Sequence, residues 1–363
     1  METKTYTRQE LKDFINSDFF EELRNIPISR HRALSQINNP RASENDILLV
    51  ATYDDKKLAG YLGILPDLLF HEDSTEKVGW LTCFWVDNDY KSKNIAASLF
   101  LRVIRAWNQK ILITNIVPDL EPVYQKTKIF QPTIYKSGYR GYMRFNLSTV
   151  LPPKNHLFRK MAPVLKLADI FLNIPVNLKL RWFKSVETGN IQYEYLQMLS
   201  KEDENFIVQT REPNWNKRGI EEINWIISNP WIIQSSMNFE SQRYYFSSVS
   251  NQFFYRILRI KNTRNEIIAL AILLIRNNNL TTPYLFCTES GWMPLAKMIV
   301  NTIKEQKLDM ITTFHGTLVK TLKSIRTPFI FSKTIKKPYL ISKKFEYLSA
   351  LNFQDGDGDC AFY

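Results

Sequence analysis

Residues 78–104, VGWLTCFWVDNDYKSKNIAASLFLRVI, decide how the chain folds. Their first nine residues, 78–86 (VGWLTCFWV), are an unbroken apolar-aromatic run of strand length. A polar turn follows at 87–94 (DNDYKSKN), with Tyr90 as its one hydrophobic anchor. The period then changes. Ile95, Leu99, Val103 and Ala106 recur at helical spacing, with Phe100 and Ile104 beside them. A helix N-terminus leaves up to four backbone N–H groups unpaired, and its dipole favours an anion there. A strand feeding such a helix through a tight polar turn is therefore a ready-made diphosphate site. Lys91 and Lys93 add charge, and Ala96 and Ala97 are small enough for close approach. The same features also describe an ordinary strand-to-helix connection with solvated lysines.

Working outward, residues 47–53 (ILLVATY) and 58–65 (LAGYLGIL) read as an antiparallel hairpin around the polar turn 54–57. Thr7 and Glu10 form a capping box before Leu11, Phe14 and Ile15, and a second helix is expected over 29–36. Downstream come a strand at 111–117, a helix at 121–130 and a strand at 139–147. The sum is an α+β (α/β) unit around a mixed sheet. Residues 152–155 (PPKN) break the pattern, and a helical connection interrupted by Pro175 runs to about 183. A second unit then repeats the order some 200 residues later. It has a helix at 217–228, strands at 244–249, 253–261, 266–276 and 284–287, a helix at 293–305, a strand at 309–314 and a helix at 317–324. The expected boundaries are 1–150, a helical linker 151–190, and 191–363.

Composition narrows the setting. Two domains are natural for 363 residues. Cys83, Cys287 and Cys360 are far apart and odd in number, which suits a reducing compartment better than a disulfide framework. With no apolar signal-peptide core, a soluble cytoplasmic protein is expected. The apolar-rich stretch 156–183 is interrupted by charges and prolines, so it is a poor membrane span. The formal charge of +12 favours anionic partners, whether CoA phosphates, nucleic acid or an acidic membrane surface. No run of five or six basic residues singles out nucleic acid, and none is expected as a partner.

The turn and helix resemble the acetyl-CoA motif of GNAT-superfamily N-acetyltransferases, Arg/Gln-x-x-Gly-x-Gly/Ala after a strand. Val86 ends the strand, Lys91 takes the Arg/Gln place, Asn94 stands at the first Gly, and Ala96 takes the Gly/Ala place, with Leu99 at the apolar position beyond. Lysine keeps the charge of arginine without its planar fork. Asparagine is the least costly replacement where left-handed geometry is needed. The hairpin 47–65 resembles the family's paired strands, and 123–130 (VYQKTKIF) its helix with Tyr before Glu-Lys-x-Gly-Phe.

The resemblance implies two tandem GNAT-like domains and direct attack of an amine on an acyl thioester, with acetyl-CoA as donor. It places Phe84, Trp85 and Val86 along the cofactor strand. Lys91, Ser92, Lys93, Asn94, Ile95, Ala96 and Ala97 would lie around the diphosphate. Tyr124 takes the family's general-acid place. No carboxylate lies on 81–84, leaving Asp87 as a candidate base. The acceptor would be a small-molecule or envelope-precursor amine, and the protein a monomer or homodimer. The matching turn of the second half, 288–294 (TESGWMP), lacks basic residues and carries Glu289, so that half reads as degenerate. The alternatives are a catalytically inactive double-GNAT binding protein and a Fem-type transferase using aminoacyl-tRNA.

Other residues read blandly. Cys83 reads as a buried small hydrophobe. His31, His71, His156 and His315 lack metal-ligand spacing, though His71 could touch substrate. Residues 355–359 (DGDGD) imitate the start of a calcium loop without its position-twelve Glu. A flexible acidic tail is expected, with folding back into a basic or amine-binding cleft as the alternative.

Overall fold

The computed structural model describes residues 1–117, 120–152, 155–183, 190–348 and 352–363. Part of the expected break, 153–154, and the end of the expected linker, 184–189, lie outside the described residues. Two compact units result. The first comprises Met1–Lys136, Gln197–Tyr255 and Lys337–Tyr363; the second comprises Ser137–Leu196 and Arg256–Lys336.

In the first unit, β1 (Glu2–Tyr6) leads into helices α1 (Arg8–Ile15), α2 (Asp18–Glu22) and α3 (Arg30–Ile37). Then come β2 (Leu49–Asp54), β3 (Lys57–His71), β4 (Ser74–Val86), a 3-10 turn at Asn88–Lys93, α4 (Ile95–Ala106), β5 (Ile111–Thr114) and α5 (Glu121–Lys126). The capping box that starts α1 forms as expected, with Thr7 N and Oγ1 both 2.8 Å from Glu10 Oε2. The sheet runs β1-β2-β3-β4-β5 and is closed by residues 339–341, antiparallel to β5. β1 pairs antiparallel with β2, an edge strand that the polar residues at the start of the sequence concealed.

The two sheet faces bury different partners. On one, Leu62, Ile64, Leu81, Ile111 and Ile113 meet Ile95, Leu99, Val103 and Trp107 of the α4 region. Each such side chain, fully buried, contributes roughly 1.5–3 kcal/mol. Gly79 lets Trp107 close on β4, since a Cβ there would lie 2.9 Å from the indole ring. On the other face, Tyr53 and Tyr61 pack with Phe14, Phe20 and Tyr244. Residues 244–249 do not form the expected strand. The helix Phe239–Arg243 precedes them, and only Val249–Ser250 joins a two-residue ladder. Tyr244 turns inward to stack on Tyr61 with ring centroids 6.1 Å apart.

Residues 352–363 also contradict expectation: they are not a flexible tail. Asp357, Ala361 and Phe362 are buried, and Phe362 stacks on Trp231 at 4.3 Å with the rings 13° apart. Arg218 fastens the segment by donating to the carbonyls of Gly356 (3.2 Å) and Gly358 (2.9 Å). Arg218 also pairs with buried Asp67 at 2.7 Å, and Arg41 holds the second Asp67 oxygen at 2.7 Å. Burial alone would raise the Asp67 carboxyl, but Arg218 and Arg41 outweigh it and hold it below the usual carboxylate range.

The second unit repeats the local order. Strands Ile267–Arg276 and Asn279–Cys287 form an antiparallel hairpin. A 3-10 turn at Glu289–Gly291 leads into the helix Trp292–Glu305, and Met310–Thr313 returns parallel to Asn279–Cys287. Residues 192–196 pair with 257–261 at one side of these strands, and 139–142 pair with Met310–Thr313 at the other. This is the expected mixed sheet with flanking helices.

Candidate active site

The strand, turn and helix of residues 78–104 meet as the sequence predicts. β4 and β5 share a parallel ladder only at Gly79↔Ile111 and Trp80↔Leu112. Beyond Trp80, β4 continues to Val86 paired with β3 alone among the described residues. One edge of β4 is therefore open, with backbone donors and acceptors available to a ligand. A bulge lies in that open stretch. Tyr61 opposes Trp85 and Gly63 opposes Thr82, so Cys83 and Phe84 share one place opposite Leu62. Cys83 takes a φ of 51°, unusual for a residue with a side chain. The bulge turns both Thr82 and Cys83 toward the face away from α4.

The α4 end of the site suits an anion. Asn94 is the N-cap at φ 56° and ψ 21°, the left-handed geometry expected for a Gly substitute, and its side chain makes no cap hydrogen bond. No acidic residue lies in the first turn. The amides at the start of α4 are thus left for an external acceptor. Lys91, Ser92, Lys93, Asn94, Ala96 and Ala97 are exposed, while Ile95 is buried against the sheet. Lys91 has no ion-pair partner among the described residues; Lys93 Nζ lies 4.9 Å from the Tyr90 ring centroid. These residues fit the diphosphate of an acyl-CoA.

The other predicted residues occupy distinct places. Phe84 and Val86 pack toward α4, whereas Trp85 lies on the opposite face, 5.6 Å from both Tyr61 and Tyr245. Asp87 caps the 3-10 turn, its Oδ1 accepting from Asp89 N at 2.9 Å. Tyr124 is packed between Phe100 and Phe130, with centroids 5.5 and 6.1 Å away, and burial pushes its phenol up to about 12. It stays protonated at neutral pH. His71 is away from the bulge at the end of β3, 4.4 Å from the Tyr347 ring and 5.5 Å from Trp215.

The structure adds a group of residues that sequence reading did not bring together. Arg32, buried on α3, donates from Nη1 to Cys83 Sγ and to Tyr244 Oη (2.7 Å), and from Nη2 to Thr82 Oγ1 (3.0 Å). Its guanidinium lies 3.9 Å from the Trp231 ring centroid. Thr82 Oγ1 donates to Asp359 Oδ2 at 2.7 Å, and Tyr363 Oη donates to Asp359 Oδ1 at 3.2 Å. Asn115, just past β5, donates from Nδ2 to Tyr363 Oη at 2.7 Å. A polar chain thus runs from the bulge of β4 to the end of β5. Burial pushes the Asp359 carboxyl above the ordinary range, against the lowering effect of Thr82 and Arg32. Such a carboxylate is a suitable proton acceptor. The sequence did carry a signal for it: the apolar residues Ala361, Phe362 and Tyr363 after the acidic run favour burial over a solvated tail.

Residues 9–119 match the model of the acetyltransferase (GNAT) family. That stretch of the first unit is similar to a GNAT-type acetyltransferase domain. The match covers the bulge, the turn and α4, and it supports acyltransfer as the class of reaction. No curated protein sequence gives a significant match. Among solved structures, a conserved protein of unknown function from Enterococcus faecalis V583, described as a probable N-acyltransferase, has a TM-score of 0.55 at 9% identity. The likeness spans 96% of this chain and 74% of that one, so the likeness in fold extends over both units. A GCN5-related N-acetyltransferase from Anabaena variabilis ATCC 29413 gives 0.48 at 11% identity, covering 96% and 75% of the two chains. One from Kribbella flavida gives 0.48 at 7%, covering 93% and 71%. Among the described residues, no helix is long and apolar enough to cross a membrane.

Proposed function

We propose that the chain is an acyl-CoA-dependent N-acyltransferase with acetyl-CoA as donor and a small-molecule or envelope-precursor amine as acceptor. The observation that carries this reading is the open, bulged edge of β4 leading into a helix whose first-turn amides have no cap. Bound acyl-CoA supplies an activated thioester, whose C–S bond is exchanged for a C–N bond to the amine. The amides of Asn94, Ile95, Ala96 and Ala97 hold the diphosphate, with Lys91, Ser92 and Lys93 around it. Phe84, Trp85 and Val86 present the strand edge along the donor. Asp87 keeps the turn in shape through its bond to Asp89 N.

Two proton transfers remain. The acceptor arrives as an ammonium ion and must lose a proton before attack; Asp359 takes it, aligned by Thr82 and Tyr363. As the C–S bond breaks, the leaving sulfur takes a proton from Tyr124, held neutral by burial, while the nitrogen sheds its second proton, which restores the phenol. Arg32 fixes Thr82 and the bulge and is a positioning residue. The second unit's turn carries Glu289 in place of the lysines, and we place no donor there.

Calorimetric titration with acetyl-CoA tests the reading. An exposed charge facing an anion contributes roughly 0.5–1 kcal/mol, so reversing it with Lys91→Glu should cost about twice that and weaken binding about 5- to 30-fold. Wild-type protein that takes up no acetyl-CoA at millimolar concentration would rule out this donor.

A further inference from the structure

Beyond the proposed reaction, and independently of it, we propose that the second unit docks on an anionic membrane surface through the outer face of helix Ala162–Trp182. The helix has two apolar sides. Leu165, Asp169, Val176 and Leu180 form a narrow inward stripe and are buried. That side is fastened by polar bonds: Asp169 accepts from Leu147 N (2.6 Å) and Ser148 N (2.9 Å), and Asn173 bonds both main-chain groups of Phe145 (2.9 and 2.8 Å). The helix is therefore fixed in rotation by its inner side.

The outer side is also apolar. Val164, Leu167, Phe171, Ile174, Leu178 and Trp182 are each more than half exposed, Phe171 by 68% and Trp182 by 80%. At about 100° per residue they fall within an arc of roughly 80°, opposite the buried stripe. Nothing in a monomer's own packing requires six large apolar side chains there.

Charge identifies the occupant. Lys166 and Arg181 border the apolar arc on one side and Lys179 on the other, and the preceding helix His156–Lys160 adds Arg159 and Lys160. The sole acid within 155–183 is Asp169, buried and engaged with backbone amides. The 3-4-3-4 spacing from Val164 to Leu178 is also that of a coiled-coil seam. A seam between two copies, however, would set these cations against their own kind with no exposed acid on the helix to pair them. An apolar face flanked by cations suits the boundary between acyl chains and anionic headgroups, with the helix lying in the plane of the surface.

Co-sedimentation of the full chain with vesicles tests this. Wild type should pellet with two-to-one phosphatidylcholine–phosphatidylglycerol vesicles, be released by salt, and stay in solution with phosphatidylcholine alone. Each basic residue near such a surface contributes about 1 kcal/mol, so the triple change Lys166→Gln, Lys179→Gln, Arg181→Gln should weaken partitioning on the order of 100-fold. Phe171→Asp should abolish it. All four positions are exposed, so unchanged melting temperatures will show that the variants fold. Failure of wild type to bind anionic vesicles, equal binding to neutral ones, or indifference to Phe171→Asp each overturns the proposal. So does a wild-type dimer that Phe171→Asp converts to monomer, because the face would then belong to a second copy.

Discussion

Asp359→Asn removes one titratable oxygen from the polar chain at the β4 bulge and almost nothing else. The amide is the same size, and Asp359 is buried between Thr82 and Tyr363 at 2.7 and 3.2 Å. An amide oxygen can still accept one of those hydrogen bonds, so the segment should stay in place. What is lost, on the proposed mechanism, is the ability to take a proton from the acceptor amine. Loss of a positioned general base lowers turnover by about 10²- to 10⁴-fold, with little change in the acetyl-CoA affinity set at α4. The pH dependence is sharper still. The folded-state carboxyl is raised by burial, so wild-type kcat/KM should climb with pH along an acidic limb displaced above the usual carboxylate range. In the variant that limb disappears. Stability gives an independent sign. A carboxyl whose folded pKa lies above its unfolded value adds stability below the unfolded pKa, and that stability is lost as pH rises through the folded one. The variant lacks this slope, so its stability relative to wild type should increase from acidic to neutral pH. Steady-state rates across pH, beside denaturant melts at the same values, measure both. Wild-type turnover in Asp359→Asn, or survival of the acidic limb, would refute the assignment of the base.

Two further substitutions probe the frame of that site. Gly358 sits at φ 69° with Trp80 ring atoms 2.9 Å from where a Cβ would stand; Gly358→Ala should cost at least about 1–2 kcal/mol for the left-handed backbone alone and lower turnover by shifting its neighbour Asp359, as melts and rates would show. Asp67→Ala deprives Arg41, Arg218, Asn216 Nδ2 and Trp80 Nε1 of a shared acceptor, so about 3–5 kcal/mol should be lost in a denaturant titration. Because Asp67 is held below the ordinary range, its wild-type contribution should itself fade as pH drops through the folded-state pKa.

The parts of this protein visible in sequence are those encoded by neighbours. The passage from β4 to α4 shows because the apolar period changes from a continuous run to helical spacing within eight polar residues. Asn94 stood out as a left-handed position because few side chains tolerate that geometry, and its φ of 56° agrees. The capping box of α1 joins residues three apart. The active-site frame is different in kind. Arg32 reaches Cys83 across 51 residues and Tyr244 across 212, and no local pattern records either contact. A β-bulge at a cysteine leaves no compositional mark, since Cys83 looks like any strand residue until its partner strand is known. β1 leaves little trace in the sequence because ETKTY is an edge strand with little to bury. The acidic run near residue 357 reads as solvated until Arg218, Asn214 and Trp80 are seen around it. Local chemistry therefore announced the proposed donor end of the site, while the proposed proton-handling end required the tertiary fold.

Thr82 and Asp359 are 277 residues apart, yet their side chains touch. During synthesis at about 5–20 residues per second, one emerges roughly 15 to 55 s before the other. Strand pairing is fast on that scale, since hairpins close in about 1–10 µs. Asp359 joins Thr82 only when the segment 352–363 has been made and Arg218 can hold it. On the proposed assignment, the proton acceptor is therefore made long after the strand and turn it serves.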